Sequence, residues 1–194
     1  MLRPHPWVVH SSADGVRGHG LTELVLHDVR PGAVEHAGVG RGEARRVPAG
    51  LDALTTGLDA DEVELIDSLQ QAGNLKMRIN AMLNPTHDNF EKYISKGIYS
   101  TAQLTVRSIK IYADGALGSR GALLLKPYTD DPKTRGIQVE PTEKLDSVCS
   151  LAYKHGYQVC THCIGDAAVR LMLDTYSKYL PKGNDLRWRI EHSQ

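Results

Sequence analysis

From Leu58 onward, apolar positions recur with regular periods. Val63, Leu65, Ile66 and Leu69 fall at helical spacing behind Asp59 and Asp61, either of which can cap a helix that ends at Ala72 and Gly73. Leu75 to Leu83 reads as a strand, with Pro85 as its stop. Thr86 and Asp88 open a short helix through Tyr93 and Ile94 that ends at Gly97. Leu104 to Ala113 alternates as a strand and runs into a glycine-rich loop and a polar, turn-rich stretch around Tyr128 to Gly136. Thr142, Leu145, Val148, Leu151 and Ala152 predict a helix closed at His155 and Gly156. Tyr157 to His162 is a strand. Asp166 to Tyr179 is a helix with Leu171, Met172, Leu173 and Tyr176 partly buried. Leu186 to His192 is a last strand.

The resulting order is α-β-α-β-loop-α-β-α-β. Alternation of this kind implies βαβ units and a parallel sheet. Four strands are visible, whereas a closed (β/α)8 barrel takes at least about 200 residues. The chain has 194 residues and ends on a strand with no helix after it, although a parallel strand needs both faces covered. The expected fold is therefore α/β: a partial (β/α)8 TIM barrel of about four parallel β/α units, cut from a larger domain.

Residues 1–50 break this pattern. They hold 8 of the 18 glycines and 5 of the 9 histidines, with six arginines but no lysine, isoleucine or tyrosine. Only Leu21 to Val29 has the pattern of a short element. Two readings stay open: a loop-rich native segment, or a stretch not native to the rest of the chain. His5, His10, His19, His27 and His36 match no metal-ligand spacing. The expected division is an irregular segment, 1–50, and a partial barrel domain, 51–194.

Composition narrows the function classes. With 23 basic and 23 acidic side chains, there is no electrostatic reason to expect nucleic acid or an anionic membrane as partner. No apolar run approaches the roughly 20 residues of a membrane helix, and the first residues lack the apolar stretch of a signal peptide. Three cysteines cannot build a disulfide framework, and an odd count fits a reducing, cytoplasmic setting.

Lys110, His162 and His192 sit at or near the C-terminal ends of the last three strands, the edge where parallel α/β sheets bind ligands. Taken singly, a strand-end lysine usually snorkels and a strand-end histidine is usually just hydrogen-bonded. The same position on three successive strands points further. A buried lysine readily loses its proton, and the neutral amine can take up CO2 as a carbamate, an oxygen ligand. Two imidazoles would add nitrogen, and that donor set suits zinc or a similar divalent ion.

Three motifs carry a family resemblance: IKIYADGALGSRGA, THCIGDAA and RIEHSQ. Over roughly Thr56 to Gln194 the chain resembles the amidohydrolase superfamily, in particular the amidohydrolase family 3 group of N-substituted formamide deformylase-like proteins. The resemblance implies a metal-dependent TIM-barrel hydrolase of amide or related C–N bonds, acting on a small-molecule amide. It also implies that Lys110 is the carboxylated lysine of the fourth strand, His162 the fifth-strand ligand and His192 the sixth-strand ligand. The family's first-strand H-x-H pair occurs nowhere in the chain. Its late metal-binding, proton-accepting Asp would lie beyond Gln194, and the accessory β-sandwich is missing. No catalytic residue is therefore assigned. The expectation is an incomplete amidohydrolase, weakly active or inactive, or a non-catalytic fragment of one. Substrate, metal number and oligomeric state are left open.

In the loop Asp114 to Gly121, Asp114 and Arg120 are the candidate substrate-binding residues, Arg120 through a substrate carbonyl or carboxylate. A structural ion pair is the competing reading for Arg120. Asp166 is read as a helix cap, and Glu191 as structural, facing away from His192 in a regular strand. Cys160 and Cys163 form a C-x-x-C between a strand and a helix, the setting of a redox thiol. Only 31 residues follow, too few for a thioredoxin-like remainder. The glycine spacing G-x-x-G-x-x-G departs from the dinucleotide fingerprint G-x-G-x-x-G.

Overall fold

The computed structural model describes residues 57–194, together with the backbone of two short strands, Val25–His27 and Asp52–Leu54. The expectation for residues 1–50 otherwise lies outside the described residues. The chain divides into two compact units, one spanning Leu21–Ile109 and one containing Lys110–Gln194, with the division inside a strand.

The first unit is built from β1 (Val25–His27), β2 (Asp52–Leu54), α1 (Ala60–Gln71), β3 (Arg78–Leu83), α2 (His87–Lys92), a 3-10 turn (Ile94–Lys96), β4 (Tyr99–Ser100) and most of β5 (Leu104–Tyr112). The pairs β2–β3 and β3–β5 are parallel, as the alternation required. Two pairs are antiparallel, β1–β2 and β4–β5. Each involves a strand of two or three residues, too short to leave a period in the sequence. Asp59 opens α1, its backbone N–H donating to Glu62 Oε2 at 2.8 Å in a capping box. Thr86 caps α2 by accepting from the Asn89 N–H. The buried Asn89 side chain donates to the Leu58 and Asn84 carbonyls, both at 2.8 Å, and so ties α2 to the entry of α1.

The feature of this unit that matters for chemistry is a bulge. Ala81 pairs Val106 and Met82 pairs Ser108, so β5 spends one extra residue, Arg107, against β3. Paired residues share a face. Before and after the bulge, Leu104, Val106 and Ile109 lie on the face of Ile79, Ala81 and Leu83. Thr105 and Ser108 lie on the face of Asn80 and Met82. A regular strand would have put Val106 and Lys110 on one face. With the extra residue, Lys110 joins Thr105 and Ser108 opposite the apolar set.

The second unit contains the end of β5, the loop to Pro141, α3 (Thr142–His155), β6 (Gln158–His162), α4 (Asp166–Ser177) and β7 (Arg189–Glu191). The strand order is β5–β6–β7, and β6 and β7 are parallel. The core comprises Leu145, Val148, Cys149 and Ala152 of α3, Tyr157, Val159 ahead of and within β6, and Ala168, Met172 and Tyr176 of α4. Gly156 closes α3 at φ 72°, the left-handed conformation that glycine adopts without strain.

Three expectations are corrected here. Leu173 is 55% exposed, and Thr175 takes the buried place on α4 because the helix's inner face runs through Ala168, Met172, Thr175 and Tyr176. Gly165, not Asp166, is the N-cap of α4; Asp166 instead accepts the Leu125 N–H at 2.8 Å and anchors the preceding loop. The last strand keeps only three of its expected seven residues, because Arg187 (φ 56°) and His192 (φ 68°) are left-handed on either side of it.

Gly165 is required by close approach. A Cβ there would collide with the Leu123 carbonyl, which also receives the Ala167 and Ala168 N–H groups. Gly165→Ala should cost about 1–3 kcal/mol, the usual range for forced overpacking, read as a lowered denaturant midpoint with unchanged m.

Candidate metal centre

The bulged β5 delivers Lys110 to the polar face at 3% exposure, and Tyr112 follows two residues later on the same side. The Lys110 ammonium nitrogen lies 5.2 Å from the Tyr112 ring centroid. β6 ends at His162, whose ring centroid is 5.7 Å from that of Tyr112 and 4.9 Å from that of His192. His192 follows β7. In a regular strand it would face away from its neighbour across the sheet. Its left-handed backbone turns the ring back to His162 instead. A non-glycine residue in that region costs about 1–3 kcal/mol and needs surroundings that hold it there.

Glu191 is in an ion pair, in keeping with the structural reading, but not on the face expected of a regular strand. The register pairs it with His162, so the two share a face. It is 6% exposed and accepts Arg189 Nε at 2.7 Å. Arg189 pairs Cys160 in the same register, which places an acid, a base and a thiol on the side that carries His162. Pairing across strands, which no single-strand pattern contains, decides this. Tyr112, by contrast, was within reach of sequence reasoning, since it lies two positions after Lys110 on one strand.

The electrostatics follow from burial. Desolvation holds the Lys110 amine below its ordinary value; Arg189 adds to this, while the Glu191 charge opposes it. Burial also lowers the His162 imidazole, helped by His192 and Lys110, against the Gly115 carbonyl and Asp114. Both groups are thereby biased toward the neutral forms that bind metals or CO2. His162 Nε2 lies 3.5 Å from the Gly115 carbonyl oxygen and 3.8 Å from Asp114 Oδ1. A proton on Nε2 would face the Gly115 carbonyl and leave Nδ1 with the lone pair.

Among the described residues, no three His, Cys, Asp or Glu side chains are grouped to hold a metal. The available donors are two imidazoles 4.9 Å apart and a buried lysine whose charge is felt by one of them. As a donor set this fits part of a divalent centre, provided the lysine supplies oxygen as a carbamate.

The other candidates are placed differently. Asp114 is buried, and its two oxygens accept backbone N–H groups of Ile164 (2.9 Å), Gly165 (2.7 Å) and Leu123 (2.9 Å). Arg120, left-handed at φ 55°, bonds Asp130 through Nε at 3.2 Å and through a terminal nitrogen at 3.1 Å. The glycine loop folds on itself, Gly115 N–H donating to the Gly121 carbonyl at 3.1 Å, and the next helix begins only at Thr142. It does not open a helix as a dinucleotide loop would.

The setting of the cysteines is not that of an activated thiol. Cys149, Cys160 and Cys163 are buried, and none is in a disulfide. Burial raises the Cys163 thiol and pushes Cys149 up to about 12, the opposite of an activated thiolate. Under native conditions none of the three should react with a thiol reagent at pH 8, and all three should react once the chain is unfolded. A fast native phase of one thiol per chain would contradict this.

The chain is 45% identical over 87 residues to the putative amidohydrolase YtcJ of Bacillus subtilis, a match covering 45% of this chain and 16% of that protein. It is 38% identical over 103 residues to the protein LONG AFTER FAR-RED 3 of Arabidopsis thaliana, covering 52% and 18%. Two crystal structures of uncharacterized metal-dependent hydrolases are similar in fold. The one from Pyrococcus horikoshii OT3 has a TM-score of 0.59 and 32% identity, over 64% of this chain and 26% of that one. The one from Pyrococcus furiosus has a TM-score of 0.61 and 29% identity, over 71% and 33%. The chain thus matches less than a fifth of its curated relatives' length and up to a third of the solved structures. The fold is α/β, with parallel strands and helices that correspond to part of a TIM-barrel-like hydrolase. The profile of the amidohydrolase family matches residues 27–194, and the chain belongs to that family.

Proposed function

We propose that this chain contributes Lys110, His162 and His192 to the divalent metal centre of a hydrolase acting on amide or other non-peptide C–N bonds in small molecules. The observation that carries the reading is the 4.9 Å approach of the His162 and His192 rings, with the buried Lys110 close enough to bias His162 toward its neutral form. Zinc is the metal that this mixture of nitrogen and carbamate oxygen favours. When bound, such an ion lowers the pKa of water to about 7 and polarises a carbonyl.

The chain's own residues prepare the site. Burial keeps the Lys110 amine available to bond the carbon of CO2, with loss of one proton from nitrogen. The Gly115 carbonyl and Asp114 orient His162, and the left-handed backbone orients His192. Arg120 would have to leave Asp130 to meet a substrate carboxylate, so its part in binding requires the loop to rearrange. No proton acceptor for an attacking water is assigned among the described residues. A non-catalytic piece of such an enzyme is the second reading, favoured by the lack of any H-x-H pair in the sequence. A cytoplasmic setting suits three cysteines that are not in disulfides. No helix among the described residues is long and apolar enough to cross a membrane.

The test is zinc titration of the metal-free chain in bicarbonate-equilibrated buffer. Binding should be weaker than the about 10–16 kcal/mol of structural zinc-finger sites, without measurable amide hydrolysis. His162→Ala or His192→Ala should each cost more than the ~10–100-fold typical of an outer-shell partner. Zinc held equally well by the double variant would refute the assignment.

A further inference from the structure

We propose that Asp114 is a positioning residue rather than a substrate-binding one: its carboxylate clamps the turns that follow β5 and β6 so that His162 is kept in its Nε2–H form with Nδ1 free. The inference rests on the reading of His162 as a metal ligand for its purpose, but not for its geometry.

The Asp114 side chain has no exposed surface. Three backbone N–H groups converge on it from two separate segments. Leu123 belongs to the return of the glycine loop, and Ile164 and Gly165 form the turn between β6 and α4. The backbone closes the same junction, with Ala113 N–H donating to the His162 carbonyl at 2.9 Å. Ala167 and Ala168 N–H groups donate to the Leu123 carbonyl at 3.1 and 3.3 Å. His162 is thus held on one side by strand pairing and on the other by the turn that Asp114 secures.

The carboxylate is suited to this chemically. It offers acceptors only, and all three of its short partners are donors. Oδ1, which takes Ile164, is also the oxygen nearest His162 Nε2, at 3.8 Å. Gly115, the next residue, brings its carbonyl to 3.5 Å of the same nitrogen. A substrate would have to displace backbone amides to reach Asp114. The cost of leaving buried N–H groups without acceptors argues against that role.

Asp114→Asn tests the clamp. Whichever way the amide is turned, an NH2 group meets a backbone N–H. At a pH where imidazoles are neutral, two-bond 1H–15N correlation of the wild-type metal-free chain should show His162 as Nε2–H. In Asp114→Asn the pattern should relax toward the mixture of a free imidazole, while exchange of the Leu123, Ile164 and Gly165 amides should accelerate by about tenfold or more, as for a locally opened segment. If the variant does not fold, the wild-type spectrum decides. A predominant Nδ1–H form there, or an unchanged His162 pattern in a folded Asp114→Asn, overturns the proposal. Adding zinc to the wild type separates the two readings. An Nε2–H tautomer with no zinc-dependent change at Nδ1 refutes the metal assignment and leaves the clamp standing.

Discussion

Replacing Lys110 with methionine should make the metal-free protein more stable at neutral pH while removing the proposed metal ligand. Lys110 is 3% exposed, and burial is the main cause that holds its pKa below 10.5. In the unfolded chain the amine keeps its ordinary affinity for protons. Between the folded value and 10.5 the unfolded state therefore binds more protons, so stability rises with pH across that window. Below the folded value the penalty of a buried charge is fully present. Methionine has similar length and no charge, and substitutions of this kind at buried charged positions stabilise by about 1–4 kcal/mol. Chemical denaturation at several pH values should show a gain at neutral pH that shrinks as the wild type approaches 10.5. Glu191 sets the limit on this gain, because it loses a nearby cation but keeps Arg189. Zinc affinity should fall in the same variant. A destabilised Lys110→Met with unchanged zinc binding would contradict both the burial argument and the ligand assignment.

Tyr176→Phe should be among the most damaging single-atom deletions in the second unit. The hydroxyl of Tyr176 donates to the Arg189 carbonyl at 3.0 Å and lies 2.5 Å from the Thr161 hydroxyl, so Thr161 donates to it. This places one buried oxygen between α4, β6 and β7, and raises the Tyr176 pKa well above its ordinary value through burial. Phenylalanine keeps the ring against Trp188, whose centroid is 5.0 Å away, but leaves the buried Thr161 hydroxyl without this partner and takes one donor from the Arg189 carbonyl. A buried polar group that loses its partner costs about 1–3 kcal/mol. The combination with Thr161→Val should recover part of the loss, since it removes that hydroxyl. A double-mutant cycle by urea denaturation measures this coupling. Strict additivity would mean that the two hydroxyls do not interact. Because β6 ends in His162 and His192 follows β7, the Tyr176 contact also supports the alignment of the rings, and zinc binding should weaken alongside stability.

The order of major elements was readable because each has a local cause. The capping box at Asp59, the Thr86 cap and the left-handed Gly156 mark ends of helices within a few residues of chain. Periods of two and 3.6 mark what lies between them. The motifs around Lys110, His162 and His192 likewise point to the family from the sequence alone. Strands β1, β2 and β4 are too short to carry a period, and they exist by virtue of their partners.

The composition of the candidate site depended on relations between segments. The extra residue at Arg107 is visible only against β3, and it determines which face Lys110 takes. Register alone puts Glu191 beside His162, and a left-handed backbone returns His192 to the same place. From sequence Asp114 reads as a polar loop residue, and only the fold brings the N–H groups of Leu123, Ile164 and Gly165 to its oxygens. Residue type and spacing are local quantities, so one strand suffices to nominate Lys110, His162 and His192 as candidates. Face, register and hydrogen-bond saturation belong to pairs of segments distant along the chain, and are settled only when those segments pack.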